Sequence, residues 1–203
     1  MMTLAGRQPI IVADAGPLIR LAAAGLLGTL KGLNRRIVLV DRVEDEVTGD
    51  LSKPFAHDIA QWISGMADSI LRVRTIYGEG VRALQQKQRT VEEDALLKSA
   101  LRNSGEIALR EFVERWLPEI QGEALVVYED KRVASLFLDA DFPLTLMTTR
   151  SFVRLMADWG INADAVAVLE AIAGTYDLKP AMIGEIDPEM PRDMRVVPKE
   201  RRS

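Results

Sequence analysis

The sequence of 203 residues contains no cysteine and a single histidine, His57. The missing thiols exclude disulfides, cysteine nucleophiles and zinc sites built from thiolates. With one imidazole in the chain, a metal site with several histidines is impossible, and a Ser-His-Asp site would have to use His57. We expect His57 to be an ordinary helix residue. Any enzymatic chemistry must therefore rest on carboxylates, lysine or a cofactor.

The sequence also lacks a long hydrophobic run and a strong excess of one charge. Its most apolar stretch, Leu18 to Leu27, contains Arg20 and is shorter than the ~20 residues that span a bilayer. Residues 1–9 have no apolar segment of the signal-peptide type. The net charge of −4 argues against a surface coated in basic charge, although a local basic groove is compatible with it. We predict a cytoplasmic protein without a membrane segment.

Short apolar runs alternate with helical periodicity through residues 1–176. The runs are Ile10–Ala13, Ile37–Val40, Ala124–Val127 and Leu144–Met147, with a weaker one around residues 70–76. Because strands that alternate with helices form βαβ units, we predict an α/β domain of three layers. Its central sheet should be mostly parallel, with four or five strands flanked by helices. A charged helical segment at about 79–103 belongs to this domain.

Residues 177–203 differ from the rest of the chain. They contain four of the nine prolines and little periodicity. We interpret them as a C-terminal arm that is disordered or extended against a partner.

Acidic residues follow three of the apolar runs, at Asp14, Asp41 and Glu129-Asp130, and a threonine pair follows a fourth. In an open α/β sheet, ligands bind outside the carboxyl ends of the strands. Clustered carboxylates repel one another and need cations, and hard oxygen ligands select Mg²⁺ or Mn²⁺. We interpret Asp14 as functional because Gly16-Pro17 already supplies the turn there. Asp41 is interpreted as the start of a capping box with Glu44.

Three further positions have two interpretations each. Glu46 lies one turn into the helix after Asp41, where it is a solvated charge or a site residue. Glu106 lies in a first helical turn, where a carboxylate is favourable near the helix dipole, yet its helical spacing aims it along a buried face. Of Glu129 and Asp130, one caps the next helix and the other faces the site, and position alone does not separate them.

Four segments in this order and spacing resemble a PIN domain, most closely the VapC-like branch of bacterial and archaeal PIN nucleases. They are residues 11–19, 43–47, 105–106 and 129–132. The resemblance implies a metal-dependent endoribonuclease with Mg²⁺ or Mn²⁺ as cofactor and RNA as substrate. The implied catalytic and metal-binding acids are Asp14, Glu46, Glu106 and Asp130. Glu111 is the reserve for Glu106, and Thr149 and Glu129 are supporting residues.

The resemblance further implies the toxin of a toxin–antitoxin pair, with an antitoxin protein and a second copy of the chain as candidate partners. Two stretches depart from the family pattern. Gly105-Glu106 is followed by Ile107-Ala108-Leu109-Arg110-Glu111 rather than by small residues, and Arg150 and Phe152 follow Thr149. A PIN-fold module that binds RNA or protein without cutting therefore stays as the alternative.

Overall fold

Strands and helices alternate in the computed structural model, which describes residues 10–32, 35–86, 90–117, 124–137, 144–173 and 193–196. The strands are β1 (Ile10–Ala13), β2 (Ile37–Val40), β3 (Ile70–Val73), β4 (Ala124–Tyr128), β5 (Leu144–Thr148) and β6 (Asp193–Val196). The helices are α1 (Ala15–Ala23), α2 (Thr29–Gly32), α3 (Asp41–Thr48), α4 (Ala56–Gly65), α5 (Ile76–Gln86), α6 (Val91–Leu101), α7 (Ser104–Arg115), α8 (Lys131–Leu136), α9 (Thr149–Asp158) and α10 (Ala165–Ala173).

The sheet has the strand order β3-β2-β1-β4-β5-β6. The first five strands are parallel, and Ile11 of β1 pairs with Ile37 on one side and Leu125 on the other. Every residue of β1 and β2 is buried, as their unbroken apolar sequences require when helices flank the sheet. The structure confirms the predicted three-layer α/β fold. None of the helices in the described ranges is long and apolar enough to cross a membrane.

The last strand changes the interpretation of the C-terminal arm. β6 lies within residues 177–203 and pairs antiparallel with β5. It covers the backbone groups that the outer edge of β5 would otherwise leave unpaired. Residues 193–196 of the arm are therefore extended along β5, and the rest of the arm lies outside the described residues.

The connections between strands create a crevice between β1 and β4. The chain moves one way across the sheet from β1 to β2 and β3, and then crosses over to β4 and β5 on the other side. Because parallel crossovers are right-handed, the loops that leave β1 and β4 turn to opposite faces of the sheet. A cleft opens where they part, at the carboxyl ends of both strands. Asp14 follows β1 directly, and Glu129 and Asp130 follow β4.

Helix α3 begins differently from the prediction. Val40 is its N-cap and Asp41 its first helical residue, so Asp41 does not head a capping box. Glu44 instead forms an ion pair with Arg72 of β3, with 3.1 Å between Glu44 Oε1 and Arg72 Nε. The partner of Glu44 lies on a strand that is distant in sequence, so a local spacing rule cannot predict this ion pair.

Candidate functional site

A cleft of about 860 Å³ opens at the carboxyl ends of β1 and β4. The four acids singled out in the sequence all line it, and they come from four separate segments of the chain. They are Asp14 after β1, Glu46 in α3, Glu106 in the first turn of α7 and Asp130 before α8. The fold therefore brings together residues that lie up to 116 positions apart in the sequence.

Asp14 is the most deeply placed of these acids, with 9% of its surface exposed. Its backbone N–H donates to the carbonyl of Val127 at 3.2 Å, which ties the residue to β4. The pKa of Asp14 is raised from 3.8 to about 7, mainly by burial and in addition by the carboxylates of Glu46, Glu106 and Asp130. A hydrogen bond from the backbone of Ala15 acts in the opposite direction. Asp14 thus experiences all three of the other acids electrostatically.

Gly105 lets α7 approach Asp14 and Glu46. A Cβ at position 105 would lie 3.2 Å from Glu46 Oε2 and 3.9 Å from Asp14 Oδ1. The chain enters α7 through Asn103, which adopts a left-handed conformation (φ 59°), one that asparagine tolerates better than most residues. This turn puts Gly105 beside the two carboxylates and Glu106 immediately after it.

Glu46 lies at the rim of the cleft. The residue as a whole is exposed, but its carboxylate lies beside Gly105, and burial raises its pKa. The cations Lys53 and Arg42 act in the opposite direction. The charge of Glu46 is therefore subject both to the neighbouring acid Asp14 and to the cations Lys53 and Arg42.

The structure separates the roles of the two acids after β4. Glu129 is buried and forms an ion pair with Arg20 of α1, at 2.9 Å between Glu129 Oε2 and Arg20 Nη1. Gly16 permits this arrangement, since a Cβ there would lie 3.1 Å from Cβ and Cγ of Glu129. Burial raises the pKa of Glu129, whereas Thr149 and Arg20 lower it. Both acids line the cleft, but the carboxylate of Glu129 is paired with Arg20, whereas the charge of Asp130 acts on Asp14.

Two of the sequence candidates lie away from the cleft. Thr149 is fully buried at the start of α9 next to Glu129, although its Oγ1 makes no hydrogen bond of ordinary geometry with a described residue. Glu111 binds the start of α5 instead, accepting hydrogen bonds from the N–H groups of Ile76 at 2.8 Å and Tyr77 at 2.9 Å. The geometry therefore favours Glu106 over its reserve Glu111. His57 lies exposed on α4, as expected.

Three cations also line the cleft, and sequence reasoning singled out neither Arg42 nor Lys53. Arg42, Lys53 and Arg82 line it, and Arg42 is only 5% exposed. Arg42 Nη1 lies 2.7 Å from Asp45 Oδ2, and Arg82 Nη2 lies 3.3 Å from the same oxygen. Arg82 reaches Asp45 from another helix, whereas Arg42 pairs with Asp45 at i,i+3 within α3, a spacing that ordinary solvated helix pairs also have.

The acid cluster is not a complete metal cage. Within the described ranges, no three Asp, Glu or His side chains are arranged to hold a metal ion. The donor set nevertheless fits a hard divalent cation, because it consists of carboxylate oxygens. The mutual repulsion that contributes to the raised pKa of Asp14 is also the kind of charge conflict that a cation relieves.

No family model matches the chain, and neither does any curated protein or any solved structure.

Proposed function

We propose that the chain is a divalent-metal-dependent endoribonuclease of the PIN-like class. The observation that carries the proposal is the convergence of Asp14, Glu46, Glu106 and Asp130 on one cleft at the carboxyl edge of a parallel sheet. In such sheets this edge is where ligands bind. The chain has no cysteine and His57 does not line the cleft, so the acids and Lys53 are the ionisable groups there that could act in catalysis.

The four acids would hold Mg²⁺ or Mn²⁺, with Asp14 and Asp130 as direct ligands and Glu46 and Glu106 completing the site. A divalent cation bound there supplies positive charge against a phosphodiester and makes a water molecule a better nucleophile. Asp14 contributes a carboxylate that little water can screen, because it is 9% exposed. Its attraction for a cation is correspondingly strong.

The cations that line the cleft are consistent with a polyanionic substrate. Lys53 and Arg82 line the same cleft as the acids, so an RNA strand in the cleft would have its phosphates near positive charge. Gln85 and Asn103 line the same cleft and offer amide groups for hydrogen bonds to sugar or base.

The test is cleavage of a broad pool of single-stranded and structured RNA by the purified chain with Mn²⁺. We expect cleavage that requires the metal, and a loss of several orders of magnitude in Asp14→Asn, because a ligand is lost without a change in side-chain size. His57→Ala is the control and should cleave at about the normal rate. If the wild-type chain cleaves no RNA in the pool and Asp14→Asn binds RNA equally well, the nuclease proposal is wrong.

The alternative is a PIN-fold module that binds RNA or a protein without cutting. It is favoured by the lack, within the described ranges, of three acids already arranged around a metal position. A Mn²⁺ titration separates the two proposals, since a binding module with a defunct site should not be stabilised by the metal.

The biological setting is part of the proposal. As the toxin of a toxin–antitoxin pair, the protein would act on RNA in the cytoplasm and be neutralised by an antitoxin, with a second copy of the chain as a further candidate partner. Expression in cells tests this role. Wild-type protein should arrest growth where Asp14→Asn does not, and co-expression of a small protein encoded beside the gene should restore growth.

A further inference from the structure

The N-terminus of helix α5 is fastened to helix α7 by Glu111. The carboxylate of Glu111 accepts hydrogen bonds from the backbone N–H groups of Ile76 and Tyr77, one with each oxygen. The first N–H groups of a helix have no partner inside the helix, and a carboxylate there also interacts favourably with the helix dipole. Glu111 thus forms a charged tie between two separate helices.

The same end of α5 is fastened to helix α3 through Thr75 and Asp41. Thr75 Oγ1 accepts a hydrogen bond from Gly78 N at 2.9 Å and donates one to Asp41 Oδ1 at 2.8 Å. Thr75 is 1% exposed and Asp41 is 5% exposed, so water offers these groups little competition. The helices approach so closely that a Cβ at Gly78 would collide with Asp41 Oδ2. That oxygen also lies 3.3 Å from Arg82 Nη2 of α5.

The helices that these ties hold are the ones that carry two of the four acids. Asp41 precedes Glu46 by five residues on α3, and Glu111 follows Glu106 by five residues on α7. Five residues of α-helix correspond to a rise of ~7.5 Å and a rotation of roughly 140°. Each helix can therefore present its tie to α5 and its acid to the cleft at the same time.

We infer that Asp41, Thr75 and Glu111 are positioning residues that fix the separation of α3 and α7 and so hold Glu46 and Glu106 at the spacing needed to share a cation. This inference rests on the proposed function of the acid cluster. Starting helix α5 does not require contacts with α3 and α7, because Thr75 by itself accepts a hydrogen bond from the N–H of Gly78. The buried link to α3 and the more exposed link to α7 together add a constraint between those helices.

The experiment is a Mn²⁺ titration of the full chain, followed by thermal unfolding, with Thr75→Ala compared with Thr75→Ser. The melting temperature without metal reports stability, and the half-saturating Mn²⁺ concentration, obtained by fitting the rise of the melting temperature with metal concentration, reports the acid spacing. In Thr75→Ala we expect this concentration to rise about tenfold, at the low end of the range for residues that support metal ligands. Thr75→Ser keeps the hydroxyl and should return it to within about twofold of wild type.

Glu111→Gln is the second variant, because it keeps the size of the side chain while its amide can accept only one of the two hydrogen bonds. Its matched control is Glu114→Gln on the same helix, whose carboxylate pairs with Arg110 on the exposed surface at 2.6 Å. We expect a similar rise in the half-saturating Mn²⁺ concentration for Glu111→Gln and none for the control.

If Thr75→Ala and Glu111→Gln lower the metal-free melting temperature but leave the half-saturating concentration unchanged, these residues are structural and the inference is wrong. A wild-type chain that shows no response to Mn²⁺ would overturn the proposed metal site itself, and the inference with it. The two failures are distinguished by the wild-type titration.

Discussion

Replacing Asp14 with Asn should make the metal-free protein more stable at alkaline pH, although it destroys the proposed site. Burial and three neighbouring carboxylates raise the pKa of Asp14 from 3.8 to about 7 in the folded protein. The folded state therefore retains a proton that the unfolded chain has already released. This contribution to stability is complete below pH 4 and is lost as the pH rises towards the folded pKa of about 7.

The size of the effect follows from the difference between the two pKa values. Each pH unit of difference corresponds to about 1.4 kcal/mol, so complete ionisation of Asp14 costs the folded state up to about 4 kcal/mol. Part of the loss has already occurred at pH 5. Between pH 5 and pH 8, Asp14 alone should lower the free energy of unfolding by about 3 kcal/mol. Asparagine has no charge to bury, so the variant lacks this contribution.

The assay is urea unfolding of wild type and Asp14→Asn at pH 5 and pH 8 with a chelator present. Glu46 and Glu129 also have raised pKa values and remain in both proteins, so the difference between the two proteins isolates Asp14. From pH 5 to pH 8, the free energy of unfolding of the variant should rise by about 3 kcal/mol relative to that of the wild type. If the two free energies of unfolding change in parallel with pH, Asp14 is not ionising in a buried acid cluster and the electrostatic argument fails.

Three other changes follow from the contacts around the cleft. Mn²⁺ at a hundredfold excess over its dissociation constant should add about 2.7 kcal/mol to the free energy of unfolding of the wild type, and nothing to that of Asp14→Asn, as measured by thermal unfolding. Gly105→Ala should weaken Mn²⁺ binding with little loss of stability, because its Cβ would displace Glu46 Oε2, 3.2 Å away; unchanged binding would place the metal elsewhere. Arg20→Ala should lower the free energy of unfolding by about 3–5 kcal/mol, since it leaves the buried Glu129 without its cation; a loss below 1 kcal/mol in urea unfolding would contradict this ion pair.

The sequence predicted the parallel sheet because each inner strand is a short, unbroken apolar run, and such runs require cover on both faces. It also predicted that acids would lie together at the carboxyl edge of the sheet, because a residue that directly follows a parallel strand must lie at that edge. Asp14 and Asp130 are the clearest cases, because β1 and β4 are neighbours with their carboxyl ends side by side. This part of the site is a consequence of local pattern and topology together.

The choice among neighbouring acids could not be made in the same way. Glu106 and Glu111 lie on one helix, and nothing local shows that the N-terminus of α5 takes up the second of them. Asp41 fitted a capping box by spacing, yet its partner is Thr75, 34 positions later. Arg82 likewise reaches Asp45 of α3 from α5, 37 positions later. Each of these assignments depends on a contact between distant segments, which periodicity and spacing do not contain.

The position of Asp14 explains why charge repulsion persists at this site. β1 lies inside the sheet between β2 and β4, and the backbone of Asp14 is bonded to Val127, so the residue cannot withdraw from the cluster without breaking strand pairing. Glu46 lies at the exposed rim, where its side chain can move aside at little cost. The raised pKa of Asp14 means that protonation relieves part of this repulsion, and the exposed Glu46 has room to stay apart from it. A cation that replaces that proton would reverse both effects, drawing the outer acids inward around the one carboxylate that the fold holds in place.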